Sequence, residues 1–153
     1  MARLLHKCSF AAALVAAGIG LSSCGGPDRV EVHPVRGKVL FRGQPTAYAW
    51  VVFHPQGGSE EVQKMRPSGR AGPDGSFTLT SYDEGDGAPA GEYKVTVQWP
   101  SEDLADPSDP DDPEGQIPRG PDRFGGRYAD PATTPLKAAI VQGNNDLEPF
   151  QLP

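Results

Sequence analysis

Residues 93–99 read YKVTVQW, a strict alternation of large apolar residues with polar ones. Successive side chains of a β-strand point to opposite faces of a sheet. A period of two residues therefore predicts a strand with one buried and one solvent-facing side. Pro100 ends the pattern, because proline has no N–H to donate to a sheet.

Comparable patterns recur on both sides of this strand. They predict strands over residues 35–42, 47–53, 76–80, 136–141 and 147–152, and one short edge strand within 61–70. Turn residues separate them at Gly43-Gln44-Pro45, Gly72-Pro73-Asp74-Gly75 and Gly143-Asn144-Asn145-Asp146. Helical periodicity is absent after residue 24. Six or seven short strands without helices predict an all-β fold, a single antiparallel β-sandwich over residues 35–153.

Length and composition fit this prediction. The chain has 153 residues, enough for one domain, and its mean hydropathy of -0.47 is typical of a soluble body. Its 19 glycines and 17 prolines supply the turns that many short strands need.

The first residues form a separate segment. Two basic residues, Arg3 and Lys7, accompany an uncharged and mostly apolar run of 15 residues, CSFAAALVAAGIGLS, at positions 8–22. A membrane-spanning helix needs about 20 such residues, so the run is short for an anchor. The basic start, the apolar run and the small residues that follow together predict a signal peptide over residues 1–23. We expect this peptide to enter the export channel as a helix.

The end of this run carries a specific motif. Leu21-Ser22-Ser23-Cys24 resembles the lipobox of bacterial lipoproteins. The resemblance implies cleavage before Cys24 and a thioether between its sulfur and a diacylglycerol, with palmitate-like chains inserted in the membrane lipid. The other cysteine, Cys8, lies within the segment that is removed, which argues against a disulfide. Residues 24–34 are predicted to be a flexible tether.

This motif implies a location outside the cytoplasm. The domain would lie in the periplasm or at the cell surface, held to the cell membrane or to the outer membrane. Gly25, where some retained lipoproteins carry aspartate, favours the outer membrane. Both membranes remain open at this point.

The charge of the chain excludes one class of partner. Removing Arg3 and Lys7 from the 14 basic residues leaves 12 against 20 acidic ones, a formal charge of -8 for a chain that begins at Cys24. A nucleic-acid-binding surface needs an excess of basic groups. We therefore expect no nucleic acid partner.

An acidic, proline-rich loop is predicted over residues 100–122. A solvated loop is the interpretation we favour, because such a segment repels itself and buries little apolar surface. The alternative is a Ca²⁺ site, since carboxylates are ligands that this ion prefers. EF-hand spacing is absent, and the candidate ligands are Asp103, Asp106, Asp109, Asp111, Asp112 and Glu114. A second carboxylate group, Asp83, Glu84 and Asp86, is interpreted as a solvated turn.

Catalytic patterns are not found. His33 and His54 are 21 residues apart and have no cysteine near them, whereas zinc sites usually need three or four ligands, often in close pairs. No nucleophile-elbow motif surrounds a serine. We expect no enzyme activity, no cofactor and no metal outside the acidic loop.

Four segments together resemble the carboxypeptidase regulatory-like domain. They are Gly37-Lys38-Val39, the stretch from Gly43 to Phe53, Asp74-Gly75-Ser76-Phe77 and the stretch from Gly91 to Val97, so the resemblance covers about residues 35–99. It implies a prealbumin-like (transthyretin-like) sandwich and an accessory or binding module of the cell envelope. It supplies no catalytic residues. The acidic insertion and the strands after residue 100 depart from this domain.

Three aromatic residues are candidates for ligand contact. Tyr48, Trp50 and Trp99 would form a stacking platform for a glycan or a protein if they lay on one exposed sheet face; otherwise they belong to the core. We therefore expect a non-enzymatic structural or protein-binding module that contacts envelope proteins or polysaccharide. The alternative is a carbohydrate- or calcium-binding accessory module.

Overall fold

The computed structural model describes residues 29–101 and 120–153. The predicted signal peptide, Cys24 and most of the acidic loop lie outside these residues. The described part contains nine strands and one helix: β1 (Val35–Phe41), β2 (Gln44–Pro45), β3 (Trp50–Pro55), α1 (Glu60–Lys64), β4 (Ser68–Arg70), β5 (Ser76–Thr78), β6 (Gly91–Gln98), β7 (Lys137–Ile140), β8 (Asn145–Asp146) and β9 (Phe150–Leu152). The predicted all-β class is confirmed.

The first sheet is built around β1. Strands β2 and β5 pair with it in antiparallel orientation, whereas β8 and β9 pair with it in parallel. Val39 donates to the carbonyl of Gly75 and accepts from Thr46, while the Arg36 carbonyl accepts from Leu147. Because neighbouring residues of a strand bond to opposite sides, β1 lies between the two groups of short strands.

The second sheet is antiparallel throughout, in the order β4-β3-β6-β7. Its longest pairing joins β3 and β6 over six residue pairs, from Trp50 opposite Gln98 to Pro55 opposite Tyr93. An isolated bridge between Ser68 and Thr80 joins β4 to the chain after β5, so the two sheets meet along this edge.

The core lies between the two sheets. Val35, Val39, Phe77 and Leu152 bury their side chains from the first sheet, and Val51, Phe53, Tyr93, Val95 and Val97 do so from the second. The Phe53 ring lies 6.3 Å from that of Phe77 and 5.6 Å from that of Tyr93, which joins the layers. Gly37 makes room for this packing, since a Cβ there would lie 2.5 Å from the Phe77 ring.

Several boundaries differ from the prediction. The expectation of purely antiparallel pairing is wrong for β8 and β9, and two predicted turns contain the strands β2 and β8. Strand β3 begins at Trp50 rather than at residue 47, because Tyr48 has a φ of 65° that no regular strand contains. The segment within 61–70 forms both helix α1, whose N-cap Ser59 accepts from the Val62 N–H, and edge strand β4.

Residues 29–34 pack on the folded body. His33 and Ala88 exchange two backbone hydrogen bonds, of 2.9 and 3.0 Å. Upstream of them, Arg29 forms an ion pair of 2.7 Å with Asp83, and the Val30 N–H donates to the hydroxyl of Tyr82. The second half of the predicted tether therefore belongs to the domain.

The loop that receives this segment is organised by Asp86. Its carboxylate accepts hydrogen bonds from the N–H groups of Ser81, Tyr82 and Asp83 at 2.7 to 3.0 Å. Residues 81–85 therefore form a turn, as predicted, in which Asp86 has a structural role and Asp83 remains largely exposed in its ion pair. In residues 29–101 and 120–153, no helix is long and apolar enough to cross a membrane.

Candidate functional site

The outer surface of the second sheet gathers the polar side chains of four strands. Val51 and Phe53 are buried in the core, so the alternating positions of β3 point away from it. The register places residues of β4, β6 and β7 beside them. We call this surface the Trp50 face; its residues are Ser68, Arg70, Trp50, Val52, His54, Glu92, Lys94, Thr96, Gln98, Lys137 and Ala139.

One end of the Trp50 face carries aromatic rings beside a cation. Trp50 is paired with Arg70 on one side and with Gln98 on the other. The Arg70 guanidinium lies 5.5 Å from the centre of the Tyr48 ring, close enough for a cation–π contact. Tyr48 is 36% exposed, and its N–H donates to the Ala71 carbonyl at 2.9 Å. Tyr48 therefore contacts Arg70, and Trp50 is the cross-strand partner of the same arginine.

The indole nitrogen of Trp50 is a potential hydrogen-bond donor at the surface. The residue is partly exposed, and among the described residues its indole N–H has no hydrogen-bond acceptor. An aromatic ring with an unpaired N–H at a surface offers both a flat apolar contact and a donor to a ligand.

Trp99 belongs to a different part of the molecule. Its indole N–H donates to the Ala47 carbonyl at 3.0 Å, and its ring packs on Phe41 and Phe124 at centroid distances of 6.1 and 5.6 Å. The backbone N–H of Trp99 donates to the carboxylate of Asp122, the last residue of the predicted acidic loop. The predicted platform of three aromatics is therefore not formed: Trp99 packs against the core.

The other end of the Trp50 face carries a row of basic residues. His54 is paired with Lys94 across β3 and β6, and Lys94 is paired with Lys137 across β6 and β7. Like charges directly opposite one another destabilise a sheet. The Lys94 ammonium donates to the Ala132 carbonyl at 3.0 Å, whereas Lys137 is exposed. This end of the face therefore places two lysines on opposite strands in register.

The imidazole of His54 does not add a positive charge to this row. Its Nε2 lies 2.9 Å from the Thr96 hydroxyl. Partial burial, and then the positive charge of Arg66, lower the pKa of His54 below its usual value near 6.5. The ring is therefore uncharged at pH 7, and the permanent charges of the Trp50 face are those of Arg70, Lys94, Lys137 and Glu92.

The remaining predicted site residues give a mixed result. Cys24 and the six calcium candidates, Asp103, Asp106, Asp109, Asp111, Asp112 and Glu114, lie outside the described residues. Within residues 29–101 and 120–153, no group of three or more histidine, cysteine or acidic residues is placed to hold a metal ion. His33 is 8% exposed and is held by its backbone bridge to Ala88.

No family model matches the chain, and no curated protein matches it. The functional interpretation therefore rests on the residues themselves.

Sequence reasoning missed the basic residues of the Trp50 face. Lys94 alternates with the buried Tyr93 and Val95, which already placed its side chain on the solvent-facing side of a strand. That Lys137 lies opposite it, and Arg70 opposite Trp50, depends on the pairing of strands separated by 20 to 43 residues in the chain. No local pattern encodes this register.

Proposed function

We propose that this chain is a lipoprotein, anchored through acylated Cys24, whose two-sheet body is a non-enzymatic module for contact with envelope proteins or polymers. The observation that carries the proposal is the motif Leu21-Ser22-Ser23-Cys24 directly after an apolar run of signal-peptide length. The diacylglyceryl group on the Cys24 sulfur would carry two acyl chains, and the α-amino group of Cys24 could carry a third. Two or three chains give stable membrane attachment, whereas a single chain holds only marginally.

The start of the folded body supports this arrangement. Arg29 is the first residue of the described domain and forms the ion pair with Asp83. Five residue steps separate it from Cys24, and an extended chain spans at most about 3.6 Å per step, or roughly 18 Å. The anchored domain would lie close to the lipid surface, either at the cell membrane or at the outer membrane, facing the periplasm or the exterior.

For the fold, we propose the transthyretin-like sandwich of the carboxypeptidase regulatory-like domain. Two sheets that share one core support this assignment. The motif around Gly37 lies in β1 opposite Phe77, and Asp74-Gly75-Ser76 forms the turn that leads into β5. Hydrogen bonds from Ser76, and then from Lys38, lower the pKa of Asp74 to about 2, so this turn keeps its carboxylate ionised.

A non-enzymatic role is supported by the bonding of the two histidines. The His33 backbone is used in the bridge that attaches residues 29–34, and the His54 ring is hydrogen-bonded to Thr96. A general base needs a pKa near the working pH and a nucleophile within hydrogen-bond reach. The hydroxyl within that distance of His54 belongs to Thr96, which is only 6% exposed, so a substrate has little access to it. The second candidate function, glycan binding, is favoured by the exposure of Tyr48 beside Arg70.

A membrane-washing experiment tests the anchoring. Membranes of cells that make the native protein are washed with concentrated salt and then with alkaline carbonate, which release proteins held by charge alone. We expect the protein to stay in the membrane pellet through both washes and to leave it in a neutral detergent. Release by salt would contradict the anchor, because acyl chains are held by the hydrophobic effect, which salt does not weaken.

A further inference from the structure

We propose that a pocket between the end of β3 and the start of β6 binds a lysine side chain of a partner protein. The inference deepens the proposed contact with envelope proteins by naming the group that is recognised, and it rests on that function only for where the partner is found. Its three elements are an apolar cavity, one carboxylate in its lining, and glycines that leave its rim open to another main chain.

The cavity lies where β3 ends and β6 begins. The Gln56 N–H donates to the Glu92 carbonyl at 2.9 Å, which holds the two strand ends together. The cavity has a volume of about 190 Å³ and opens to solvent, and its lining includes Pro55, Gly57, Val62, Gly91, Glu92 and Tyr93. An apolar cavity of about 150 Å³ is large enough for benzene. The pocket therefore has room for a short hydrocarbon chain.

The side chains around the cavity are mostly apolar. Pro55 and Val62 present only hydrocarbon. Val62, on helix α1, lies over the loop that follows β3, because a Cβ at Gly58 would be 3.0 Å from its Cγ1. The Tyr93 hydroxyl already donates to the Pro89 carbonyl at 2.7 Å, so the tyrosine contributes its ring. These walls favour a ligand that places carbon atoms in the cavity.

The single charge of the lining favours a cation at the end of that chain. Glu92 is the only charged residue that lines the cavity, and within the described part of the chain it forms no ion pair. Two neighbouring lysines are engaged elsewhere: Lys94 donates to the Ala132 carbonyl, and Lys64 forms an ion pair of 2.6 Å with Glu60. A lysine side chain combines a four-carbon apolar stem with an ammonium group, which matches the cavity and its carboxylate.

The glycines of the rim favour a lysine that belongs to a polypeptide. A Cβ at Gly57 would meet no atom within 4 Å, and one at Gly91 would meet only the Tyr93 ring, at 3.9 Å. Both glycines are exposed. Because glycine has no side chain, another main chain can approach the rim closely. A partner protein would therefore contact the rim as well as the cavity, whereas a free alkylamine would contact the cavity alone.

Titration with capped amino acids tests the proposal. The full protein is purified in neutral detergent, which serves whether or not Cys24 is acylated, so a failure here is distinct from a failure of the anchor. Its amide NMR signals are followed while N-acetyl-lysine methylamide is added. The matched ligands are the norleucine analogue, which keeps the four-carbon stem without the ammonium, and butylamine, which keeps the stem and the ammonium without the main chain.

We expect saturable shifts of the Gly57 and Gly91 signals and binding of the lysine compound that is about tenfold tighter, or more, than that of the norleucine compound. Butylamine should bind more weakly than the lysine compound. Equal binding of the norleucine compound, binding of butylamine as tight as that of lysine, or the absence of saturable shifts at the two glycines would overturn the proposal.

One variant and its control locate the site. Glu92→Gln keeps the shape of the side chain and removes its charge, so it should weaken binding of the lysine compound by about tenfold and leave binding of the norleucine compound unchanged. Glu148→Gln is the control, with the same change at an exposed position before β9 on the other sheet. Both residues are exposed, so both variants should keep the melting temperature of the unchanged protein. Equal losses of lysine binding for Glu148→Gln and Glu92→Gln would contradict a site at this pocket.

Discussion

Replacing Gly87 by alanine should destabilise the domain by about 3 kcal/mol or more, the largest effect expected of any single methyl group in this fold. Gly87 has a φ of 98°, and a Cβ there would lie 1.7 Å from the backbone carbonyl oxygen of His33. That carbonyl accepts the hydrogen bond from the Ala88 N–H. The methyl group must therefore displace the chain that enters β1, and thermal unfolding by circular dichroism should show a melting temperature lower by roughly 12 °C.

Two other glycines separate the causes of this effect. Gly143 has a φ of 94°, and a Cβ there would meet no atom within 4 Å, so Gly143→Ala should show the cost of the backbone conformation alone, about 1 kcal/mol. Gly57 has open space and no such φ, and Gly57→Ala should leave the melting temperature nearly unchanged. If the Gly87→Ala and Gly57→Ala variants had the same melting temperature, the packing of residues 29–34 on the domain would be contradicted.

Replacing Cys24 by serine should abolish acylation. A hydroxyl does not substitute for the thiol in the thioether, so the variant should incorporate no labelled palmitate in growing cells. It should also accumulate as a larger precursor that retains residues 1–23, because the motif Leu21-Ser22-Ser23-Cys24 would no longer direct cleavage. Gel electrophoresis with detection of the label measures both results.

The other cysteine provides the matched control for this variant. Cys8→Ser makes the same chemical change within the predicted signal peptide. It should leave both the label and the size of the mature protein unchanged. Label retained by Cys24→Ser, or lost equally from Cys8→Ser, would contradict the assignment of the lipid to Cys24.

The strands with a strict alternation could be predicted from the sequence. Residues 93–99 lie almost wholly in β6, and the buried side of that strand is the one that Tyr93, Val95 and Val97 indicated. This succeeded because a half-buried strand has a period of two residues wherever it lies in the fold. The start of β3 failed because the φ of 65° at Tyr48 is imposed by its surroundings and has no sequence signature in a non-glycine residue.

Other features depended on weaker or non-local information. Helix α1 has a readable N-terminus, Ser59 followed by Glu60 and Glu61, but five residues are too few for a helical period to appear. The parallel pairing of β8 and β9 with β1 joins residues more than 100 positions apart. Neither the turn-like sequence of β8 nor the strand pattern over residues 147–152 indicated it. For the candidate site, the outward side of Lys94 was predictable, but the partner opposite it was not.

The central claim is that Cys24 carries the membrane anchor, and the mass of the amino-terminal peptide tests it most directly. The protein is purified from its native membrane, digested, and analysed by mass spectrometry. We predict a peptide that begins at Cys24 and carries a diacylglyceryl group on the sulfur. A peptide with a free thiol at Cys24, or one that still begins at Met1, would contradict the account.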